Sequence, residues 1–206
     1  MGLYARQILP CLLHAAMRQD VLRPFRARVA GAAEGRVLEI GIGSGLNLPL
    51  YRAGVREVVG VDPSAALLNR ARQAASGARV PVELVEGSAE ALAFEDAGFD
   101  TVVTTWTLCT IPGADRALAE MRRVLRPGGS LLFVEHGRAL GEPGVARWQD
   151  RLDPLWSPLA GGCHLNRPID ALLRRNGFRL DALATGHAIP GPRTHTFLYE
   201  GRARPA

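Results

Sequence analysis

The sequence predicts an α/β fold in a single domain, a doubly wound, mostly parallel sheet of seven strands. Three observations predict it. Short Val- and Leu-rich runs recur at 37–40, 57–61, 82–86, 99–105 and 130–136, and continuous apolar runs suit parallel strands covered on both faces. Stretches of helical periodicity separate several of them, at 46–53, 64–76 and 114–125. The first run also ends in an acid and a turn with glycine at every second position, Glu39-Ile40-Gly41-Ile42-Gly43-Ser44-Gly45. There the backbone must take unusual dihedrals and pass close to a ligand.

Taken in chain order, residues 3–29 carry apolar side chains at Leu3, Ile8, Leu12, Leu13, Ala16, Met17, Val21, Leu22, Phe25 and Val29. That spacing predicts one or two helices, started or broken at Pro10 and Pro24. Gly31 to Gly35 is a small-residue linker, so residues 1–35 form a helical cover ahead of the first strand. Asp62-Pro63-Ser64 gives helix 64–76 a capped start. The alternation breaks after His136. Residues 137–167 hold Pro143, Pro154, Pro158, the Gly161-Gly162 pair and two of the three tryptophans, and are expected to be an irregular insertion. A helix at 168–176 ends at Asn176-Gly177, and strands near 178–184 and 195–201 complete the sheet.

Composition narrows the function. The 206 residues are 47% hydrophobic and 22% charged, enough for one ordinary globular core. No apolar run reaches the roughly 18 residues of a membrane span, and the start has no secretory pattern. Cys11, Cys109 and Cys163 are odd in number and far apart, which suggests no disulfide framework and a reducing cytoplasm. The formal charge is +5, and the sequence contains no lysine. That removes a P-loop lysine, a pyridoxal Schiff-base lysine and a Tyr-Lys dehydrogenase pair. The arginines are dispersed rather than clustered, so no nucleic-acid partner is expected.

Glycine spacing and the next acid point to the ligand. Val58-Val59-Gly60-Val61-Asp62 is a second apolar run closed by a carboxylate. A glycine turn after strand one with an acid ending strand two is how doubly wound folds hold a ribose-bearing cofactor. The dinucleotide fingerprint G-x-G-x-x-G would place its third glycine at Leu46, whereas the pattern here is G-x-G-x-G. A nucleotide-dependent oxidoreductase is therefore disfavoured. A non-catalytic cofactor-binding module remains the alternative to an enzyme.

From Val37 to Asn47 the chain resembles the first motif of the class I S-adenosylmethionine-dependent methyltransferases, which have a Rossmann-like fold. Val58 to Pro63 is similar to their second motif, Glu86-Gly87-Ser88-Ala89-Glu90-Ala91-Leu92 to their third, Phe99-Asp100-Thr101-Val102-Val103 to strand four, and Val124 to Leu131 to the turn before strand five. The resemblance implies S-adenosyl-L-methionine as cofactor, S-adenosyl-L-homocysteine as product and a small-molecule acceptor. It implies a cofactor site of Glu39, Gly41, Ile42, Gly43, Asn47, Asp62, Pro63, Gly87, Ser88, Ala89 and Thr105.

A sharper resemblance lies further on. Thr107-Leu108-Cys109-Thr110-Ile111, Glu135-His136, Trp148-Gln149, Leu152-Asp153-Pro154-Leu155-Trp156 and Gly161-Gly162-Cys163-His164-Leu165-Asn166-Arg167 look like the alkyl-thiol methyltransferases of the mammalian methyltransferase-like group. A weaker one runs to bacterial phospholipid and quinone methyltransferases. The thiol resemblance implies His136 and Cys109 as catalytic candidates. Trp148, Trp156, Cys163, His164 and Arg167 become acceptor-site candidates within a 137–167 cover, with Arg167 alternatively paired to Asp153. Those relatives carry an N-terminal membrane anchor; here the amphipathic start is the one candidate for peripheral membrane contact. Cys163-His164 as two adjacent ligands without local partners predicts no metal site.

Overall fold

Seven strands form one sheet in the order β3-β2-β1-β4-β5-β7-β6. The computed structural model describes residues 9–206, so the expected helical positions Leu3 and Ile8 lie outside the described residues. The strands are β1 (Gly35–Ile40), β2 (Val55–Asp62), β3 (Val82–Glu86), β4 (Phe99–Thr105), β5 (Leu125–His136), β6 (Phe178–His187) and β7 (Phe197–Pro205). The helices are α1 (Leu9–Met17), α2 (Arg23–Gly31), α3 (Ala65–Ala75), α4 (Ala114–Val124), α5 (Pro143–Leu159) and α6 (Ile169–Arg175). β1 pairs parallel with β2 and β4, β2 with β3, and β4 with β5. β7 is antiparallel to both β5 and β6.

Alternation along the strands builds two cores. Leu38, Val102, Leu131 and Phe133 point to one face, where they meet Leu118 and Met121 of α4 and Leu172 of α6. Val37, Val103, Leu132 and Val134 point to the other, where they meet Val29 of α2 and Leu68 of α3. Each such burial contributes roughly 1.5–3 kcal/mol. The buried positions of α4, Ala114, Ala117, Leu118, Met121 and Val124, lie at helical spacing. The Ser64 hydroxyl caps α3 by accepting from Leu67 N–H.

The chain winds outward from β1 in both directions, to β2 and β3 on one side and to β4 and β5 on the other. The carboxyl ends of β1 to β5 therefore share one edge, and the crevice between β1 and β4 is the topological switch point where such sheets bind ligands.

Two expectations need correcting. The helix expected at 46–53 is a 3-10 turn, Leu48–Leu50. Tyr51 leaves the helical region, with ψ 138°, and its hydroxyl goes to Glu39 instead. The expected irregular insertion at 137–167 contains the 17-residue helix α5. Pro143 sits in its first turn, where a missing N–H costs nothing. Pro154 and Pro158 fall inside it, and the carbonyls they leave free belong to the exposed residues Asp150 and Pro154, where water can satisfy them. No helix among the described residues is long and apolar enough to cross a membrane.

Candidate functional site

The turn after β1 and the acid ending β2 are tied together. Gly41 and Gly43 have φ of 68° and 56°, conformations that glycine takes without strain. A Cβ on Gly41 would strike the Thr107 side chain, so packing also fixes that residue. A Cβ on Gly43 would meet nothing nearer than the Gly41 carbonyl oxygen at 3.9 Å. Gly43 N–H donates to Asp62 Oδ2 at 3.0 Å, and Ser64 N–H to Asp62 Oδ1 at 2.8 Å. Burial pushes the Asp62 carboxyl pKa up, and those two N–H groups oppose the shift. Each oxygen keeps a second lone pair for another donor. Gly87 N–H donates to the Asp62 carbonyl at 3.2 Å, which hangs the Gly87-Ser88-Ala89 loop from the same residue. Pro63 and Ser88 are exposed and Ala89 is buried.

Beneath the turn lies a closed polar network. Glu39, fully buried, accepts from Asn47 Nδ2 at 2.8 Å and from the Tyr51 hydroxyl at 2.7 Å. Asn47 Nδ2 also donates to Thr105 Oγ1 at 3.1 Å. Arg26 of α2 enters from the side, donating to Asn47 Oδ1 at 3.1 Å and Thr105 Oγ1 at 3.0 Å, with its guanidinium 4.9 Å from the Trp106 ring centre. Burial raises the Glu39 pKa to about 7 and lowers that of Arg26 to about 10. Ile42 is packed in the core against Gly60. Of the expected cofactor residues, Glu39, Ile42, Asn47 and Thr105 thus point their side chains into the protein. Gly41, Gly43, Asp62, Pro63, Gly87, Ser88 and Ala89 rim the strand ends.

A second cluster lies beyond β4 and β5. Glu135, buried, accepts from Thr107 N–H at 3.1 Å and Cys109 N–H at 3.4 Å, which curls the loop after β4 around its carboxylate. Desolvation raises its pKa to about 7. The guanidinium of Arg167 donates to the carbonyls of Leu108 and Ile111, and His164 N–H donates to the Cys109 carbonyl at 2.9 Å. Asp153 of α5 accepts from Leu165 N–H at 2.6 Å and lies 2.9 Å from His164 Nδ1. Gln149 of α5, also buried, bonds Gly137, Ala139 and Thr194. These contacts carry Cys163 inward. Its Sγ lies 3.7 Å from Cys109 Sγ and 3.8 Å from His136 Nδ1, and the Trp156 indole donates to it. His136 Nε2 is buried with no hydrogen-bond partner among the described residues.

The expected acceptor residues therefore separate. Cys109, His136, Cys163 and Trp156 come together. His164 is engaged with Asp153, and Arg167 holds the backbone carbonyls of Leu108 and Ile111 rather than pairing with Asp153. Trp148 stands apart on the exposed face of α5, over Arg151 at 5.3 Å. The expectation of no metal site came from local spacing, and Cys163 finds its partners 54 and 27 residues away. Sequence reasoning missed Arg26, whose helix gives no local sign of a buried polar role. It also missed His195, which packs edge-on against Trp156 at 4.5 Å.

Sheet order, glycine turn and the acid at the end of β2 define a class I S-adenosylmethionine-dependent methyltransferase fold. The family described as Methyltransferase domain matches residues 38–133. The human thiol S-methyltransferase TMT1A is 34% identical over 167 residues, 80% of this chain and 68% of that protein. The chain belongs to the class I S-adenosylmethionine-dependent methyltransferases. The phosphatidylethanolamine N-methyltransferase of Cereibacter sphaeroides is 43% identical over 107 residues, 51% of this chain and 52% of that protein. The chain thus spans between about half and two thirds of the length of these curated relatives. A solved S-adenosylmethionine-dependent methyltransferase of Leishmania major shares the fold, with a TM-score of 0.72 and 18% identity over 98% of this chain and 80% of that one.

Proposed function

We propose that this chain transfers a methyl group from S-adenosylmethionine to a small-molecule thiol. The open side of Gly43 and the free lone pairs of Asp62 fit the cofactor. Gly41, Gly43 and the Gly87-to-Ala89 loop would line it, Asp62 would accept from its ribose hydroxyls, and Pro63 would border it. Glu39, Asn47 and Thr105 support the turn from below. When bound, the cofactor supplies an electrophilic methyl on a sulfonium. The chain's task is then to hold a sulfur nucleophile in line and exclude water.

The observation that carries the acceptor class is the meeting of Cys109, His136 and Cys163 at the ends of the strands next to the switch point. The match to a thiol S-methyltransferase supports it. The segment 137–167 would act as the acceptor cover, with Trp156 as one wall. A thiol, with an ordinary pKa near 8.5, needs only modest help to ionise. The alternative acceptor is a phospholipid amine, favoured by the match to the phosphatidylethanolamine enzyme.

The deciding experiment presents methyl-labelled S-adenosylmethionine with alkyl thiols, amines, phenols and phosphatidylethanolamine vesicles. Thiols should be labelled, faster as pH rises toward the thiol's pKa. In His136→Ala, thiol turnover should fall at least about tenfold while affinity for S-adenosylhomocysteine stays within about twofold. Label on lipid or amine and none on thiols overturns the thiol reading. Wild-type turnover by His136→Ala removes that histidine from the acceptor site.

A further inference from the structure

We propose that Cys109, His136 and Cys163 are three ligands of a thiophilic divalent ion of the zinc class, with the fourth tetrahedral position open to the acceptor sulfur. The site rests on geometry alone, and only the identity of the fourth ligand rests on the thiol reading above. The three ligand atoms lie within 4.8 Å of one another. In a tetrahedral site with Zn–S of about 2.3 Å and Zn–N of about 2.0–2.1 Å, sulfur–sulfur edges are about 3.8 Å and sulfur–nitrogen edges about 3.6 Å. The observed 3.7 Å between the sulfurs and 3.8 Å from Cys163 Sγ to His136 Nδ1 fall on those edges. A disulfide would need about 2.05 Å.

The donor set is chemically specific. Two thiolates and an imidazole are soft and borderline ligands suited to zinc, and unsuited to calcium or magnesium. Two thiolates also neutralise a divalent ion, which lowers the cost of placing it among buried residues. Cys109 and His136 are nine-tenths buried or more, whereas Cys163 is partly exposed, so access is from the Cys163 side, beside Trp156. The ligands come from three separate elements, and each is positioned through its backbone or neighbouring residues, with Cys109 Sγ also 3.5 Å from Thr110 Oγ1. Cys109 is fixed through its N–H by Glu135 and through its carbonyl by His164. Cys163 arrives on a loop tied down by Asp153 and Arg167. His136 ends β5, in register with Leu198 of β7.

An open fourth position explains what three ligands would do here. The acceptor thiol binds as a thiolate and releases its proton to solvent, because the ion stabilises the anion. The thiolate lone pair then forms the new sulfur–carbon bond. The bond from methyl to sulfonium breaks, with its electron pair going to the departing thioether. The methylated product is a neutral thioether, a weak ligand for zinc, and leaves.

The test uses the whole reduced protein. Zinc is measured as purified; the chain is then stripped with a chelator and titrated with cobalt(II). One ion per chain is expected, with sulfur-to-cobalt charge-transfer absorption and the strong visible bands of tetrahedral cobalt. Cys163→Ser and His136→Gln, checked for folding by circular dichroism, should each weaken binding by more than about 100-fold, since loss even of outer partners costs 10–100-fold. Trp148→Ala should leave it unchanged. Metal-free protein should keep its affinity for S-adenosylhomocysteine, lose thiol methylation and regain it with zinc. No stoichiometric uptake by the folded, reduced protein overturns the site, as does unchanged binding by Cys163→Ser. Air oxidation to a Cys109–Cys163 disulfide by chains that take up no metal when reduced also overturns it. Full thiol turnover by metal-free protein overturns the activating role. Metal uptake with methylation of amines or lipids and never of thiols instead refutes the thiol reading and leaves the site standing.

Discussion

The two halves of the sheet's carboxyl edge are built by opposite means. On the β1–β3 side the candidate cofactor site is backbone: two positive-φ glycines, one N–H bond from Gly43 to Asp62, and a loop hung from the Asp62 carbonyl. On the β4–β5 side the candidate acceptor site is side chain. It consists of two sulfurs and an imidazole, delivered by segments up to 54 residues apart and held by Glu135, Gln149, Asp153 and Arg167. The first arrangement is set by three short segments at the ends of β1, β2 and β3, each with its own local pattern. The second exists only when β5, α5 and the 161–167 loop have packed. A shared ligand can thus tolerate little change on one side, while the other side can be re-specified by altering braces that never touch it.

The largest expected effect comes from filling the first side. In Gly43→Val a branched side chain would occupy the open face of the turn at a φ it strongly disfavours. Calorimetry should find no S-adenosylhomocysteine binding at concentrations that saturate the wild type, while circular dichroism still reports the sheet. Retained affinity would mean that the turn is only structural. Asp62→Ala should come next, because hydrogen bonds to a charged group are worth roughly 1.5–3 kcal/mol each. An affinity loss of about 100-fold or more is expected, part of it from freeing the Gly43 turn. An unchanged dissociation constant in folded protein removes Asp62 from the cofactor site.

The contrast breaks differently on the second side. Arg167→Met keeps much of the buried stem but frees the carbonyls of Leu108 and Ile111. The loop bearing Cys109 then loses one of its three clamps and keeps those of Glu135 and His164. Turnover of the acceptor should drop about 10- to 100-fold, the scale of a misplaced reacting group, with S-adenosylhomocysteine affinity within about twofold. Equal loss of both would merge the two halves into one unit.

The same contrast explains what the sequence disclosed. The five parallel strands, the glycine turn and Asp62 were legible because each is a local pattern, apolar run or spacing. The unusual backbone conformation at Gly43, φ 56°, could be expected from its neighbours alone. The 3-10 turn at Leu48–Leu50 was not, because the pull on Tyr51 comes from Glu39, a contact with no periodic signature. Helix α5 was hidden by Pro154 and Pro158, whose local preference is overridden where the freed carbonyls face water. Cys109, His136 and Cys163 were each singled out, but their convergence was invisible. It depends on Asp153 turning the 163–165 loop and Arg167 gripping the loop after β4. Trp148, chosen for its type, faces outward because α5 buries Ala146 and Gln149 instead.

The smallest effect concerns the acid beneath each half, and its sign is fixed by burial. Burial raises the pKa of Glu39 and Glu135 from 4.5 to about 7. Below pH 4.5 the folded and unfolded chains both hold these protons, and neither glutamate carries a penalty. Between pH 4.5 and 7 the unfolded chain releases them while the folded chain retains them, so stability falls as pH rises. Above 7 the folded chain ionises too and the penalty is constant. Each net shift, which already includes the donors that help solvate the anion, corresponds at most to something on the order of 3 kcal/mol. Asp115, held at about 2 by Arg175, acts below pH 4 and does not mask the trend. The two carboxyls therefore favour a higher melting temperature at pH 5.5 than at 7.5. His14 and His195, whose pKa values burial lowers, oppose that trend in the same window. Glu39→Gln and Glu135→Gln should each remove part of the carboxyls' share of the slope. The two variants should also part company at constant pH. Glu39→Gln disturbs the bracket under the glycine turn and should weaken S-adenosylhomocysteine binding. Glu135→Gln loosens the loop carrying Cys109 and should lower acceptor turnover instead. A pH slope identical in wild type and both variants would show that neither carboxyl titrates in this range.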